Sequence, residues 1–333
     1  MSGPPASTQF HPDGKPSPLP TPETKQSVIH AHGLSKWYGN IIGLNGFNVD
    51  ITEGITGIVG PNGSGKSTLF KLIVGTIKSN AGNLLVNGKR PWGNTEQLKD
   101  IGFCPDYEFL PLDMTGRQYL QFLGGLHAIE KTALSQRIVE VSGIVGMTNE
   151  LDRKMNGYSK GMKQRLKIAG ALLHKPRLLL LDEPLSGLDP IARRDLIELT
   201  KSLHYNHGHN IIVSSHILHE IERMTHNVVL IYKGRAVASG EIAEIRNLID
   251  KHPHNIIVEG RGVSDLAKKL LDMEYAVSVG FNESRESITV KVTRPDDFFN
   301  TLPGLLEITD CEIEKMYSLD DNLESIFKYL VGW

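Results

Sequence analysis

The stretch ITGIVGPNGSGKSTLFKLIVG (residues 55–75) has the pattern of a buried strand, a glycine-rich turn and a helix. The turn fits the spacing G-x-x-x-x-G-K-[ST], with Gly60, Gly65, Lys66 and Ser67 at the fixed positions. Glycines let several backbone N–H groups curl around a phosphate, and the N-terminus of the helix adds further donors and a partial positive charge. The segment therefore predicts a phosphate-binding loop of the P-loop NTPase kind within an α/β fold.

The residues of this phosphate loop (residues 60–68) have distinct expected tasks. We expect Lys66 to reach the β- and γ-phosphates of a nucleotide and the Ser67 hydroxyl to ligate Mg²⁺. A plain glycine-rich turn would not require Lys followed by Ser-Thr, so binding is the preferred interpretation. The residues expected to contact the nucleotide are Gly60, Pro61, Asn62, Gly63, Ser64, Gly65, Lys66, Ser67 and Thr68.

A second apolar strand, in RLLLLDEP (residues 177–184), ends in Asp182 and Glu183. In open α/β sheets ligands bind at the carboxyl ends of the strands, so both carboxylates are expected near the phosphate loop. Asp182 suits Mg²⁺, directly or through water, because hard divalent ions prefer carboxylate and water oxygens. Glu183 suits the orientation or deprotonation of an attacking water. Alone, such a pair would be interpreted as a solvated turn, but beside the phosphate loop it predicts a catalytic centre.

Composition narrows the class of protein. The 333 residues carry 36 Lys and Arg against 38 Asp and Glu, a formal net charge of −2. That balance gives no broad cationic field, so we expect no direct nucleic-acid partner. No apolar run approaches the ~18 residues that a membrane-spanning helix needs. The two cysteines, Cys104 and Cys311, indicate neither a disulfide framework nor a thiolate metal site, which suits a reducing cytoplasm.

Three segments differ in pattern. Residues 1–27 are rich in proline and poor in large apolar side chains, which predicts a disordered tail. Residues 28–247 alternate strand and helix patterns, which predicts a mostly parallel sheet covered on both faces, with a helical subdomain at about residues 106–172. Residues 253–333 follow the order βαββαβ with an added helix, which predicts a small ferredoxin-like α+β domain.

Within this last segment the pattern predicts a helix near residues 295–302 and a strand near residues 306–316. Ser318 and Asp321 form a capping box ahead of spaced apolar residues, which predicts a final amphipathic helix.

Four segments together resemble the ATPase subunit of ABC transporters, in that order and at suitable spacing: GPNGSGKST (60–68), YSKGMKQRL (158–166), LLLLDEPLSGLDP (178–190) and IIVSSH (211–216). The resemblance covers about residues 28–247. It implies ATP and Mg²⁺ as ligands, and two subunits, identical or different, that close face to face around two ATP molecules. Each signature segment, formed by Ser159, Lys160, Gly161 and Met162, would contact the nucleotide held by the partner's phosphate loop.

The signature has a physical basis in this sequence. Met162, Leu166, Ala169 and Leu173 recur at helical spacing, which buries one face and leaves the N-terminus of the helix free. A free N-terminus that carries the Ser159 hydroxyl can receive a γ-phosphate. In isolation, an N-capping serine on an ordinary helix fits the segment equally well.

The same resemblance assigns three further roles. His216 would be the switch histidine that senses the γ-phosphate, and residues 186–190 would form the loop that links the two active sites. Tyr38 would stack on adenine, for which an aromatic face is suited because stacking needs no base-specific hydrogen bonds. From the sequence alone, a packing tyrosine at a strand end is equally consistent.

Two positions depart from the family pattern. Asp106 stands where the family usually has a glutamine that couples the metal site to the membrane partner. A carboxylate can bind Mg²⁺ or its water, but it cannot donate a hydrogen bond and it adds negative charge near the γ-phosphate. In the signature, Tyr158 and Lys160 replace the commonest Leu and Gly. Lys160 could meet phosphate in the partner's site or could be a solvated side chain, and the second interpretation is preferred.

The resemblance is nearest to the ATPases of type-two ABC exporters, whose permease is a separate polypeptide. It implies a cytoplasmic subunit, peripheral to the membrane through that permease, which transmits motion through residues 107–118. The alternative is a soluble ABC ATPase acting on ribosomes or DNA. Such proteins usually carry two ATPase cores or long coiled coils, whereas this chain has a single phosphate loop. A regulator that binds ATP without turnover is disfavoured by Glu183.

Overall fold

A computed structural model describes residues 27–107, 110–249, 254–282 and 286–318. The proline-rich tail up to residue 26 and the predicted final helix after Ser318 lie outside the described residues. The strands are β1 Ser27–Tyr38, β2 Ile41–Thr52, β3 Ile55–Val59, β4 Ala81–Val86, β5 Ile101–Cys104, β6 Leu178–Leu181, β7 Asn210–Ser215, β8 Asn227–Tyr232, β9 Arg235–Glu241, β10 His254–Arg261, β11 Ala276–Phe281, β12 Ser287–Val292 and β13 Glu312–Ser318. The helices are α1 Lys66–Ile73, α2 Thr95–Leu98, α3 Gly116–Leu126, α4 Lys131–Ile144, α5 Lys160–Leu172, α6 Pro190–Tyr205, α7 Leu218–Glu222, α8 Ile242–Ile249, α9 Val263–Leu271 and α10 Pro295–Ile308.

The central sheet has the strand order β5-β6-β7-β3-β8-β9. All neighbours pair in parallel except β8 and β9, which are antiparallel. Strands β3 and β6 are buried along their whole length, as expected where both faces of a parallel sheet are covered. The predicted α/β fold with a mostly parallel sheet is confirmed.

The four leucines of β6 join the two layers that cover this sheet. Leu179 and Leu181 belong to one apolar core, which also contains residues of α3 to α7. Leu178 and Leu180 belong to the other, which contains residues of α1 and of β1, β2 and β4. Successive side chains of a strand point to opposite faces, so one short strand anchors both layers.

A second, three-stranded sheet covers one face, with the antiparallel order β2-β1-β4. This sheet was not predicted separately from the parallel sheet. A signal is present in β2, where the buried Phe47, Val49 and Ile51 alternate with exposed polar residues. Strict alternation is typical of a strand with one buried face, unlike the continuous apolar runs of β3 and β6.

The segment from residue 254 onward has its own apolar core, built around Phe298, Leu266 and Val290. Its four strands are antiparallel in the order β11-β12-β10-β13, and the order of its strands and helices is βαββαβ. The prediction of a strand from residue 306 was wrong, because α10 continues to Ile308 and β13 begins at Glu312.

The extension of α10 is unusual because it contains Pro303, which removes a backbone donor and ordinarily ends a helix. Leu302 and Leu305 lie on either side of Pro303 in the sequence and are both buried, three residues apart as a helical face requires. Their burial accounts for the continued helix.

Among the residues described here, no helix combines the length and apolar character that crossing a bilayer requires.

Gly102 of β5 sets the approach of α5 to the sheet. A Cβ atom at this position would lie 2.4 Å from the Ala171 carbonyl oxygen, which belongs to helix backbone and cannot rotate away. We predict that Gly102→Ala lowers the free energy of unfolding by about 1–3 kcal/mol, the usual cost of overpacking. Denaturant unfolding measures it.

The matched control is Gly143→Ala in α4, where an added Cβ would meet nothing within 4 Å. There the substitution should raise stability by about 0.5–1 kcal/mol, because alanine favours a helix interior. Equal effects of the two substitutions would contradict the proposed close contact.

Candidate active site

The predicted site residues follow neighbouring strands of the parallel sheet. The phosphate loop follows β3, Asp182 follows β6, His216 follows β7 and Asp106 lies two residues beyond β5. These strands are parallel, so their carboxyl ends meet at one edge.

The phosphate loop has a backbone that suits an anion. Gly63 and Gly65 have positive φ angles of 78° and 114°, which side chains other than glycine rarely adopt. Helix α1 begins directly afterwards, and no side chain caps its N-terminus. The Ser64 hydroxyl is buried without a hydrogen-bond partner in the described structure. A helix N-terminus together with an orphaned hydroxyl fits an oxygen-rich ligand such as phosphate.

Lys66 is almost fully buried and lies between the loop and the second strand. Its Nζ donates a 2.7 Å hydrogen bond to the Gly60 carbonyl and lies 3.1 Å from Glu183 Oε1. The phosphate-loop cation is therefore already paired with the carboxylate that the sequence analysis proposes as the base. A phosphate group would compete for the same ammonium.

Glu183 connects Lys66 to His216. Its other carboxylate oxygen, Oε2, lies 2.9 Å from His216 Nδ1. The Glu183 backbone has φ = 45°, in the left-handed region that non-glycine residues seldom occupy. Its N–H donates to Ser214 Oγ at 2.8 Å, which fixes this strained turn to β7.

Asp182 is buried and accepts two hydroxyl hydrogen bonds, from Ser214 Oγ at 2.7 Å and from Ser67. Burial is the main cause that raises the pKa of Asp182, and the charges of Asp106 and Glu183 raise it further. An ionised carboxylate in such a place is unfavourable without a nearby cation. The oxygen donors of Ser67 and Asp182 therefore fit Mg²⁺.

The described residues contain no cluster of three or more His, Cys, Asp or Glu side chains that could hold a metal. Mg²⁺ commonly uses only one or two carboxylates together with phosphate oxygens and water, so the pair formed by Ser67 and Asp182 is sufficient for that mode.

Asp106 is exposed, yet close enough for its charge to raise the pKa of Asp182. The residue before it, Pro105, accepts a 2.7 Å hydrogen bond from Lys167 Nζ. Lys167 lies on α5, so the loop that carries Asp106 is tied to the helix that carries the signature. Lys167 was not among the predicted site residues.

Tyr38 lies near Thr68, the last residue of the phosphate loop. A Cβ on Gly43 would lie 3.0 Å from both the Tyr38 ring and the Thr68 methyl group, so Gly43 separates the two side chains narrowly. Tyr38 is 42% exposed, and Lys36 Nζ lies 5.4 Å from the centre of its ring. The ring is therefore accessible at the edge of the loop rather than packed in the core.

The signature segment lies apart from the chain's own phosphate loop. Ser159 caps α5, and its Oγ accepts a 3.2 Å hydrogen bond from the Met162 N–H. Lys160 Nζ lies beside Gly187, and Gly161 faces Ala192. Within the part of the chain that is described, no hydrogen bond or ion pair joins residues 159–162 to residues 60–68.

Ser214 is a site residue that the sequence analysis missed, although it contacts both Asp182 and Glu183. The available signal was the pair of serines in IIVSSH (residues 211–216), at the end of an otherwise apolar strand. Polar side chains in a buried strand require partners, and here the partners of Ser214 are the two carboxylate residues that follow β6.

A groove of about 660 Å³ lies between the sheet and helices α3 and α5, next to the Asp106 loop. Its rim carries exposed aromatic side chains, Tyr107 and Phe122. His127 and His174 also line it and stack with ring centres 4.2 Å apart. Burial lowers the pKa of both rings, that of His174 to about 4, so both are neutral at pH 7.

Comparison with known proteins agrees with this geometry. A sequence model of the family described as "ABC transporter" matches residues 44–186. An uncharacterized ABC transporter ATP-binding protein of Bacillus subtilis is 37% identical over 216 residues, which are 64% of this chain and 69% of that protein. The bacitracin transport ATP-binding protein of Bacillus licheniformis is 30% identical over 308 residues, 92% of this chain and 98% of that protein.

The chain belongs to the ABC transporter ATP-binding family. It is an ATP-binding, ATP-hydrolysing subunit that powers a membrane permease. Among solved structures, cbiO1 from Clostridium perfringens, part of the cbiONQ transporter complex, has a TM-score of 0.60 at 26% identity, over 66% of this chain and 91% of that one. These relatives are named for transport and give no support to a soluble ribosomal or DNA-acting ATPase.

The buried Asp182 of this ABC ATPase yields a stability prediction. Burial raises the pKa of Asp182, so above this raised pKa the ionised carboxylate destabilises the folded state. The destabilisation vanishes below 3.8, the ordinary pKa of an aspartate, because the carboxyl is then protonated in both the folded and the unfolded state. In the absence of added Mg²⁺ and nucleotide, Asp182→Asn should therefore be more stable than the parent at pH 7, with a difference that shrinks as the pH approaches 3.8. Urea unfolding across pH measures this.

Asp152→Asn provides the opposite case, since a hydrogen bond from Arg117 lowers the pKa of Asp152. That substitution should not stabilise the protein at pH 7. If Asp182→Asn were less stable than the parent at neutral pH, the burial cost would not be the dominant effect at Asp182.

Proposed function

We propose that this ABC ATPase drives export through a separate permease, by closing with a second ATPase subunit around two MgATP molecules. The observation that carries the catalytic part is the contact of Glu183 with both Lys66 and His216. A base within hydrogen-bond reach of both a phosphate-binding cation and a histidine suits in-line hydrolysis of a γ-phosphate.

In this proposal each residue has one task. Lys66 and the phosphate-loop backbone bind the β- and γ-phosphates, and Tyr38 offers its exposed ring to adenine. Ser67 and Asp182 would hold Mg²⁺, which when bound would neutralise charge on the phosphate oxygens. Because phosphate competes for Lys66, substrate binding releases one oxygen of Glu183. That carboxylate then accepts a proton from the attacking water while His216 orients it.

The signature acts on the partner subunit. The N-terminus of α5 is exposed, and its dipole and the Ser159 hydroxyl suit a γ-phosphate held by the other subunit. Two bound ATP molecules then hold the dimer closed, and hydrolysis releases it. The same arrangement serves a homodimer and a heterodimer.

The groove beside Asp106 is the proposed contact with the permease. It lies at the end of β5, so an occupant would touch the loop that carries Asp106. The charge of Asp106 raises the pKa of Asp182. Its exposed aromatic rim and neutral histidines suit an apolar segment of a membrane protein. Transport is supported by the relative named for bacitracin transport, and export as its direction rests on the resemblance to type-two exporters.

The catalytic assignment is tested by Glu183→Gln. Glutamine keeps the size and the polar contacts but cannot accept a proton, so kcat should fall by about 10²–10⁴-fold. ATP affinity, measured with a fluorescent nucleotide, should stay close to that of the parent. Size-exclusion chromatography with MgATP should show a stabilised dimer. Parental hydrolysis by this variant would remove Glu183 as the base.

The permease contact is tested by Phe122→Asp, which introduces a charge on the exposed apolar rim of the groove. Co-purification with the permease and its stimulation of ATP hydrolysis should both be lost, while basal hydrolysis by the isolated subunit stays unchanged.

The matched control is Val139→Asp, an exposed apolar side chain of α4 that does not line the groove. Equal loss of permease binding by both variants would place the contact elsewhere.

A further inference from the structure

A buried polar network joins the segment that precedes α6 to the turn that carries His216. We infer that Arg193, Glu220 and Ser215 form a positioning relay, which makes the orientation of His216 depend on residues 186–190. The inference rests on the roles given to Glu183 and His216 in the proposed function, and it adds three positioning residues to them.

The first contact of the relay clamps the turn at His216. Ser215 Oγ donates a 2.8 Å hydrogen bond to Glu220 Oε2 and accepts a 3.0 Å hydrogen bond from the Ile217 N–H. The hydroxyl therefore bridges the residues on both sides of His216. Ser215 is 2% exposed, so water does not compete for these bonds. A fixed turn holds the imidazole where Nδ1 meets Glu183 Oε2.

The second contact reaches the segment that links the two active sites in the proposed dimer. Arg193 Nε lies 3.3 Å from Glu220 Oε1, and its Nη2 donates to the Leu188 carbonyl at 3.3 Å. Arg193 belongs to the first turn of α6, directly after residues 186–190. One guanidinium thus contacts both the linking segment and the carboxylate that holds the turn.

Burial makes the relay sensitive to displacement. Glu220 is 7% exposed, and among the ion pairs of the described residues Arg193 is its cationic partner. A buried carboxylate that loses its partner is strongly unfavourable, so Glu220 will follow Arg193 or release Ser215. Movement of residues 186–190 on contact with a partner subunit would therefore change the His216–Glu183 contact.

The test uses the purified full-length chain with Glu220→Gln and Arg193→Met, each near the size of the original residue. Both should lower kcat at least about ten-fold while the dissociation constant for ATP changes less than about two-fold. The double variant should be no slower than the more severe single one, because residues that act as a unit are not additive.

A background of His216→Ala separates positioning from general structural support. There the relay has nothing left to position, so adding Glu220→Gln should cause no further loss of kcat. A further ten-fold loss in that background would overturn the relay, as would parental kcat in Glu220→Gln. The control is Asp195→Asn, also on α6, whose ion pair with Arg165 is exposed. Its kcat should match the parent.

Two outcomes keep the inference separate from the proposed function. Parental hydrolysis that survives Glu183→Gln overturns the catalytic assignment itself, whereas normal loss in Glu183→Gln with parental kcat in Glu220→Gln overturns the relay alone. If Glu220→Gln does not fold, as judged by thermal unfolding, Arg193→Met at its partly exposed site decides the question by the same measurements.

Discussion

The buried carboxylate of Asp182 holds the site together. It accepts hydroxyl hydrogen bonds from Ser67, on the helix after the phosphate loop, and from Ser214, at the end of β7. Three separate elements are thereby fixed around one charge that the protein interior disfavours. The position of Glu183, one residue later, depends on the same arrangement, because its backbone N–H also uses Ser214. Displacement of this carboxylate would disturb the proposed phosphate, metal and base positions together.

Much of this arrangement was predictable because it depends on local patterns. The phosphate loop requires glycines, a lysine and a hydroxyl at fixed spacing, and buried parallel strands appear as continuous apolar runs such as that of β6. The edge at which Asp182, Glu183 and His216 meet follows from parallel strands alone. These features need no knowledge of side-chain packing.

Other features depend on contacts between distant residues and were not predictable. Lys167 and Pro105 are 62 positions apart, and Arg193 and Glu220 are 27 apart (220 − 193). Neither pair has a spacing rule in the sequence. Helix α10 extends beyond the predicted residues 295–302 and through Pro303, where burial of Leu302 and Leu305 outweighs the lost hydrogen bond. In each of these cases, tertiary packing determines which residues are in contact or where the helix ends.

The left-handed backbone of Glu183 bears on how such subunits evolve. A non-glycine residue in this conformation costs about 1–3 kcal/mol, and selection tolerates that cost only while the carboxylate is needed. In a heterodimer of duplicated genes, the copy relieved of turnover would gain stability by replacing Glu183 with glycine or asparagine. Replacement of this glutamate is therefore expected first in a degenerate paralogue, while the phosphate loop, which the proposed nucleotide-dependent pairing still requires, persists.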